Sequence, residues 1–144
     1  CKKYDLKPVI RLNTTSDVMF ERKKFSFMQN FPNVQFYDYT KHFNRMIKYL
    51  KGELPSNYHL TFSRNEVNDF QATQVLKAGG NVAVVFRKEL PETYKGFKVI
   101  TGDEHDLRFL DQKNVVVGLK EKLSLNKATG KLDRDKSGFV VDLK

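Results

Sequence analysis

The sequence has one cysteine, Cys1, with no tryptophan, four prolines and three histidines among 144 residues. A single thiol can close no internal disulfide and build no cysteine cluster within the chain, which fits a reducing cytoplasm. Apolar runs are short. None approaches the ~18 continuous residues of a membrane span, and Cys1-Lys2-Lys3-Tyr4-Asp5 leads into no signal-peptide core, so a membrane partner is not expected. His42, His59 and His105 show no HExxH or other metal spacing, and GxSxG, GxxxxGK and GxGxxG are all absent. The signatures of serine hydrolases, P-loop proteins and dinucleotide binders are therefore missing.

Aromatic and basic residues are plentiful. With 12 Phe, 6 Tyr and a hydrophobic content of 40%, the chain can fill one core of ordinary domain size. Lys and Arg number 26 against 17 Asp and Glu, a net charge of +9. That balance favours a polyanionic partner, nucleic acid or another phosphorylated ligand, through long-range attraction and counterion release. The alternative is a solvated basic surface that serves solubility. A first residue Cys1 without an initiating Met suggests a fragment or processed product of a longer chain.

Strand-like runs at Pro8–Leu12, Val34–Tyr37, Tyr58–Phe62, Val82–Phe86, Lys98–Ile100 and Val115–Val117 each end in a polar cluster. Between them, Phe43, Met46, Ile47 and Leu50 stand at helical spacing, predicting a helix over 41–51 with Thr40 as cap and Gly52 at its end. Val67, Phe70, Val75 and Leu76 mark a second helix closed by Gly79-Gly80, and both helices should pack on the sheet. Phe20, Phe25, Phe27, Met28 and Phe31 imply a short helix before Pro32. Leu90 to Gly96 reads as a loop or single turn, and Asp103 as the cap of a short segment carrying Leu107, Phe109 and Leu110. Residues 120–136 read as a mobile basic arm, and Gly138–Leu143 as a returning edge strand.

These units predict an α/β fold of repeated βα units with a mainly parallel sheet. Six units favour an incomplete TIM-like barrel, with an open doubly wound sheet as the alternative. Residues 1–119 would form the βα-repeat domain and 120–144 a basic arm with a terminal edge strand.

In a parallel sheet the polar clusters at the carboxyl ends converge, and the site is expected there. Asp17, Asp38 and Asp103 follow three different runs and could ligate a divalent ion, Mg²⁺ or Mn²⁺ rather than Zn²⁺ given oxygen donors. Asp38, Asp103 and His105 are the candidates for proton transfer, His105 because carboxylates flank it. Asn13, Arg64 and Arg87 are the candidates for ligand binding, the guanidinium groups suiting phosphate. Each has a structural alternative: Asp as a cap, Arg in an ion pair. Arg11 and Arg108 share the placement of the other arginines, and Tyr37 and Tyr39 offer stacking surface next to Lys41.

Several segments carry a family resemblance: Val9-Ile10-Arg11-Leu12-Asn13-Thr14-Thr15-Ser16-Asp17, Asn33 to Lys41, Tyr58 to Arg64, Asn81 to Arg87, Gly102 to Asp111, and Ser137-Gly138-Phe139. Over nearly its whole length the chain resembles a bacteriophage and prophage family related to gene product 88. The resemblance implies a phage origin and a host-cell cytoplasmic setting. It also implies a longer parent with an upstream cysteine-bearing segment and an iron–sulfur or zinc site there. Thr14 stands where the pattern Arg-Leu-Asn-Gly-Thr-Ser-Asp has glycine.

Three functions stay open: binding of a phosphorylated or nucleic-acid ligand at the strand ends with or without metal-assisted catalysis, a non-catalytic nucleic-acid-binding or host-interaction module, and a fragment of a metal-cluster enzyme.

Overall fold

A computed structural model describes residues 6–22, 27–125, 130 and 132–143. Strands β1 (Val9–Arg11), β2 (Gln35–Thr40), β3 (Tyr58–Ser63), β4 (Val82–Phe86), β5 (Thr93–Tyr94), β6 (Phe97–Thr101), β7 (Val116–Lys120) and β10 (Val140–Val141) form an eight-stranded sheet. Helices α1 (Phe43–Leu50) and α2 (Asp69–Lys77) pack on it, and β8 (Ser124–Leu125) pairs with β9 (Leu132–Asp133) as a separate antiparallel ribbon. The fold is mixed α/β with a mostly parallel sheet, as the sequence predicts. Only β5, hairpinned onto β6, runs antiparallel within it.

The strand order is β1-β2-β3-β4-β7-β6-β5, a path that does not close. β7 pairs with β4 from Val82 to Phe86, so β3 and β10 share the remaining edge of β4. β3 takes Val82 and Ala83, and β10 takes Val85 and Phe86. The first four strands step in one direction with α1 and α2 on one face. From β6 to β7 the chain steps back, and a right-handed connection must then lie on the opposite face. It does: the 3₁₀ turn Arg108–Leu110 packs on β3, and Phe109 lies 5.8 Å from the Tyr37 ring.

The core fills the helix face. Phe36, Tyr58, Leu60, Phe62, Val82, Val84, Phe86 and Val116 alternate inward along their strands and meet Met46, Val75 and Leu76 of the helices. α1 occupies the predicted stretch but starts after His42, and Thr40 stays in β2, its hydroxyl accepting the His42 N–H at 3.1 Å. Gly52 and Gly79 end the two helices at φ +72° and +88°.

α2 departs from its predicted face. Val67 and Phe70 are 83% and 76% exposed, while Ala72, Val75 and Leu76 are buried. The reason is local. Asn65 and Asn68 close a side-chain turn, each accepting the other's backbone N–H at 2.7–2.9 Å, so the helix begins only at Asp69 and Val67 lies outside it. Phe70 then falls on the side opposite Ala72. The predicted first-gap helix becomes two 3₁₀ turns, Phe20–Arg22 and Phe27–Asn30, and the predicted loop at 90–96 contains β5. Asp103 caps nothing; its carboxylate accepts the Lys120 N–H at 3.0 Å. Cys1, Phe25, and residues 126–129 and 131 of the predicted arm lie outside the described residues.

Candidate ligand-binding site

Parallel strands place their polar ends along one edge of the sheet. On the face away from the helices, Arg11, Tyr39 and Ser63 leave β1, β2 and β3 beside Ala83 and Val85 of β4 and Leu119 of β7. Ser63 and Ala83 are too small to fill that face, and a cavity of about 550 Å³ results, walled by His105 and Asp106 from the returning connection and by Lys122 and Phe139. It continues on one side into a second hollow of about 590 Å³ over Lys120, Arg134 and Lys136, and on the other into one of about 290 Å³ over Asn13–Asp17 and Lys41. The three form a groove across the strand ends.

Arg11 is held in place from two sides. Its Nε donates to the Asn13 carbonyl at 2.8 Å, and the guanidinium lies 4.9 Å from the centre of the Tyr39 ring. Its Nη1 donates to Asp106 Oδ2 at 2.7 Å, and Asp106 also accepts the hydroxyls of Tyr39 at 2.9 Å and Tyr37 at 3.2 Å. Burial, and then the Asp106 charge, push both phenols above their usual range, so each stays a donor. His105 has a defined tautomer. Its Nδ1 faces the Leu107 N–H at 3.3 Å and the Arg108 Nη2 at 3.2 Å, both donors, so the neutral ring carries its proton on Nε2. Behind it Arg108 is fully buried, with its Nη1 against Gly102. A Cβ at position 102 would stand 2.6 Å from Val117 Cγ1, 2.7 Å from that nitrogen and 2.8 Å from Leu119 Cδ2, so a larger residue would have to displace them.

The sequence-predicted residues divide between groove and scaffold. Asp103 and His105 line the cavity. Asp38 is fully buried on the helix face, where it accepts the Asn13 backbone N–H at 2.7 Å, the Asn13 Nδ2 at 3.0 Å and the Tyr58 hydroxyl at 2.6 Å. Burial, and then that bond to Asp38, raise the Tyr58 phenol far above its usual value. Asn13 in turn ties its own loop, its side chain accepting from Ser16 and the Val18 N–H. Asp17 accepts the Lys41 N–H at 2.7 Å and Arg45 Nη1 at 2.7 Å, and Arg45 also forks onto Glu21. These side chains clasp the β1–β2 connection to α1. Among the described residues no group of three or more His, Cys, Asp or Glu could hold a metal ion, so Asp17, Asp38 and Asp103 do not assemble as a ligand trio.

Arg64 and Arg87 are likewise engaged. Arg64 donates to the carbonyls of Gly138 and Phe139 at 2.6 and 2.9 Å and pairs with Asp69 at 3.0 Å. Arg87 meets Glu121 at 3.3 Å, Asp142 at 2.9 Å and the Asp135 carbonyl at 2.8 Å. Both guanidinium groups fasten the carboxyl-terminal segment to the ends of β3 and β4. The groove instead takes Arg11, Lys122, Phe139 and Asp106. Arg11 had the right sequence signal, a strand-end arginine, and Lys122 falls in the basic arm read over 120–136; Asp106 had none beyond lying next to His105, and Phe139 sits in a stretch read as an edge strand.

A mostly parallel α/β sheet with a polar groove across its strand ends defines the class of fold. The gene product 88 family model matches residues 1–143, and the chain belongs to that family of phage proteins. No curated protein and no solved structure matches it significantly.

Proposed function

We propose that the groove binds a phosphate-bearing ligand, with a single nucleic-acid strand as the form best supported. The observation that carries this reading is that the three hollows share lining residues, Lys122 and Phe139 on one side and Arg11 and Tyr39 on the other. Lys41, Lys120, Arg134 and Lys136 stand along their walls among the carboxylates of Asp17, Asp103, Asp106, Glu121, Asp133 and Asp135. Basic side chains spaced along a groove follow a sugar–phosphate backbone, and exposed rings stack on bases without sequence preference. The net charge of +9 adds long-range attraction. A mononucleotide-sized ligand also suits the central hollow, whose volume is that of an ordinary small-molecule site. Binding without catalysis fits better than metal-assisted chemistry, because Asp38 is buried in the scaffold and Asp17, although at the groove's edge, is engaged by the Lys41 N–H and Arg45.

The architecture supports the same location. The reversed order of β7 and β6, with their connection on the second face, favours the open doubly wound reading over the incomplete barrel, and in such sheets the crevice at the point of reversal is where ligands bind. The test is a titration of the full chain with a labelled oligothymidylate of about 12 nucleotides at several salt concentrations. About 3 to 5 phosphate contacts would give a slope of log K against log salt of roughly −2 to −3.5. Arg11→Gln and Lys122→Gln should each flatten that slope by roughly one contact's share. No binding at low salt, or a slope unchanged by both variants, would defeat the reading.

A further inference from the structure

Two donors from the groove wall, Arg11 and Tyr39, and the buried Tyr37 beneath them converge on one point, and a side chain of the protein itself occupies it. Arg11 Nη1, the Tyr39 hydroxyl and the Tyr37 hydroxyl all reach the carboxylate of Asp106, at 2.7, 2.9 and 3.2 Å. One guanidinium and two phenols around an oxyanion make a set that binds phosphate as readily as carboxylate. We infer that Arg11, Tyr37 and Tyr39 form an anion subsite for a ligand phosphate, and that Asp106 fills it as an internal stand-in which the ligand displaces. The inference deepens the proposed function and rests on it for the source of the phosphate, although the subsite itself is argued from its own geometry.

The donors are fixed and the acceptor is free to leave. Arg11 is locked by the Asn13 carbonyl and the Tyr39 ring, and the tyrosines stand on β2, Tyr37 paired on both sides and Tyr39 with Thr61 of β3. Asp106 sits on the irregular connection between β6 and the 3₁₀ turn, with its side chain 46% exposed. Rotation of that one side chain toward solvent vacates the subsite without moving the backbone, whose own anchor is the Asp106 carbonyl accepting the Arg108 N–H at 2.9 Å. A preformed donor set loses little freedom when the ligand arrives.

The surrounding charge favours an incoming anion. Arg108 is fully buried between Gly102 and His105, both lining the cavity, and among the described residues its Nη1 has no hydrogen-bond partner. Asp111 pairs with its Nε at 3.4 Å. With Asp106 turned away, Arg11 loses its carboxylate partner, and a phosphate monoester or diester oxygen takes that place.

The experiment compares wild-type full chain with Asp106→Asn, titrated with inorganic phosphate and followed by calorimetry. Removing the internal competitor should tighten phosphate binding by about tenfold, a change on the scale of one charge-assisted contact. Adding Arg11→Gln to Asp106→Asn should return the affinity to the wild-type level. Folded Asp106→Asn that binds phosphate no more tightly than wild type overturns the inference, as does a gain that survives Arg11→Gln. Should Asp106→Asn not fold, the wild-type protein supplies the readout by ¹⁵N NMR: the Arg11 Nε–H resonance should move on phosphate addition, and a fixed resonance overturns the subsite. The two readings fail separately. Oligothymidylate binding with no phosphate gain in Asp106→Asn sinks only the stand-in, whereas a phosphate gain with no oligothymidylate binding sinks only the nucleic-acid groove.

Discussion

His59 lies on the second sheet face with its Nδ1 2.9 Å from the Tyr49 hydroxyl, and burial, then the Arg108 cation, lower its pKa from 6.5 to about 4. The folded ring thus binds a proton more weakly than the unfolded one. The stability it lends is whole above pH 6.5 and is lost as pH falls toward 4. Between pH 7 and pH 5 the loss is about 2 kcal/mol. Urea denaturation at those two pH values should show it in wild type and show much less of it in His59→Gln; equal losses in both would place the titrating group elsewhere. His59 was legible as a sheet-face residue, because strict alternation along Tyr58-His59-Leu60 assigns its side. Asp38 was less so. Alternation puts it on the same face as Phe36, but only the folded chain brings Asn13 and Tyr58 to satisfy a carboxylate there, turning an apparent catalytic acid into a scaffold group.

At the scale of elements, the carboxyl-terminal segment depends on two arginines. Strand β10 has two residues and pairs with half of one edge of β4, too little ladder to hold by itself. Arg64 compensates by donating to two carbonyls just ahead of it while paired to Asp69 at the start of α2. Arg64→Met keeps most of the aliphatic stem and removes those bonds, leaving one exposed and one part-buried carbonyl to water. It should cost about 0.5 to 1.5 kcal/mol. Trypsin should then cut in the 130s, after Arg134 or Lys136, well before it reaches the sheet core, and an unchanged cleavage pattern and melting temperature would show that β10 is held by its ladder alone. The longer elements were legible in sequence, since strands β2, β3 and β4 and helix α1 bring enough periodic positions to declare their type. β5 was not legible as such, being two residues long and defined by its partner, whereas β10 falls inside the edge strand read over Gly138–Leu143. In α2 the apolar count suggested a face, yet Val67 and Phe70 were counted into it although the Asn65–Asn68 turn delays the helix.

For the whole molecule, strand direction was legible and strand order was not. Alternating strands and helices with short connections force parallel pairing, whatever the order. The reversal that puts β7 between β4 and β6 depends on which face the 102–115 connection takes, and that is decided by Arg108, Phe109 and Gly102 packing against β3 and β7 rather than by any local pattern. The order has a measurable consequence. β4 is flanked along its whole length, by β7 on one edge and by β3 and β10 in turn on the other, while β1 and β5 lie at the two ends of the sheet with three and two residues. Opening β4 requires both sheet halves to separate; opening β1 breaks only its ladder to β2. Native-state hydrogen exchange should therefore protect the amides of Val82–Phe86 and Val116–Leu119 at the global unfolding free energy, and those of β1 and β5 by less. The Arg64 and Arg87 amides extend the test, because their N–H groups bond to Ala83 and Val141 across the point where β3 gives way to β10. If that junction is continuous, Arg64 should exchange with the slow core and Arg87 with β10. Protection as low in β4 as in β1 would mean that the central position of β4, and with it the reversal that makes the groove, is wrong.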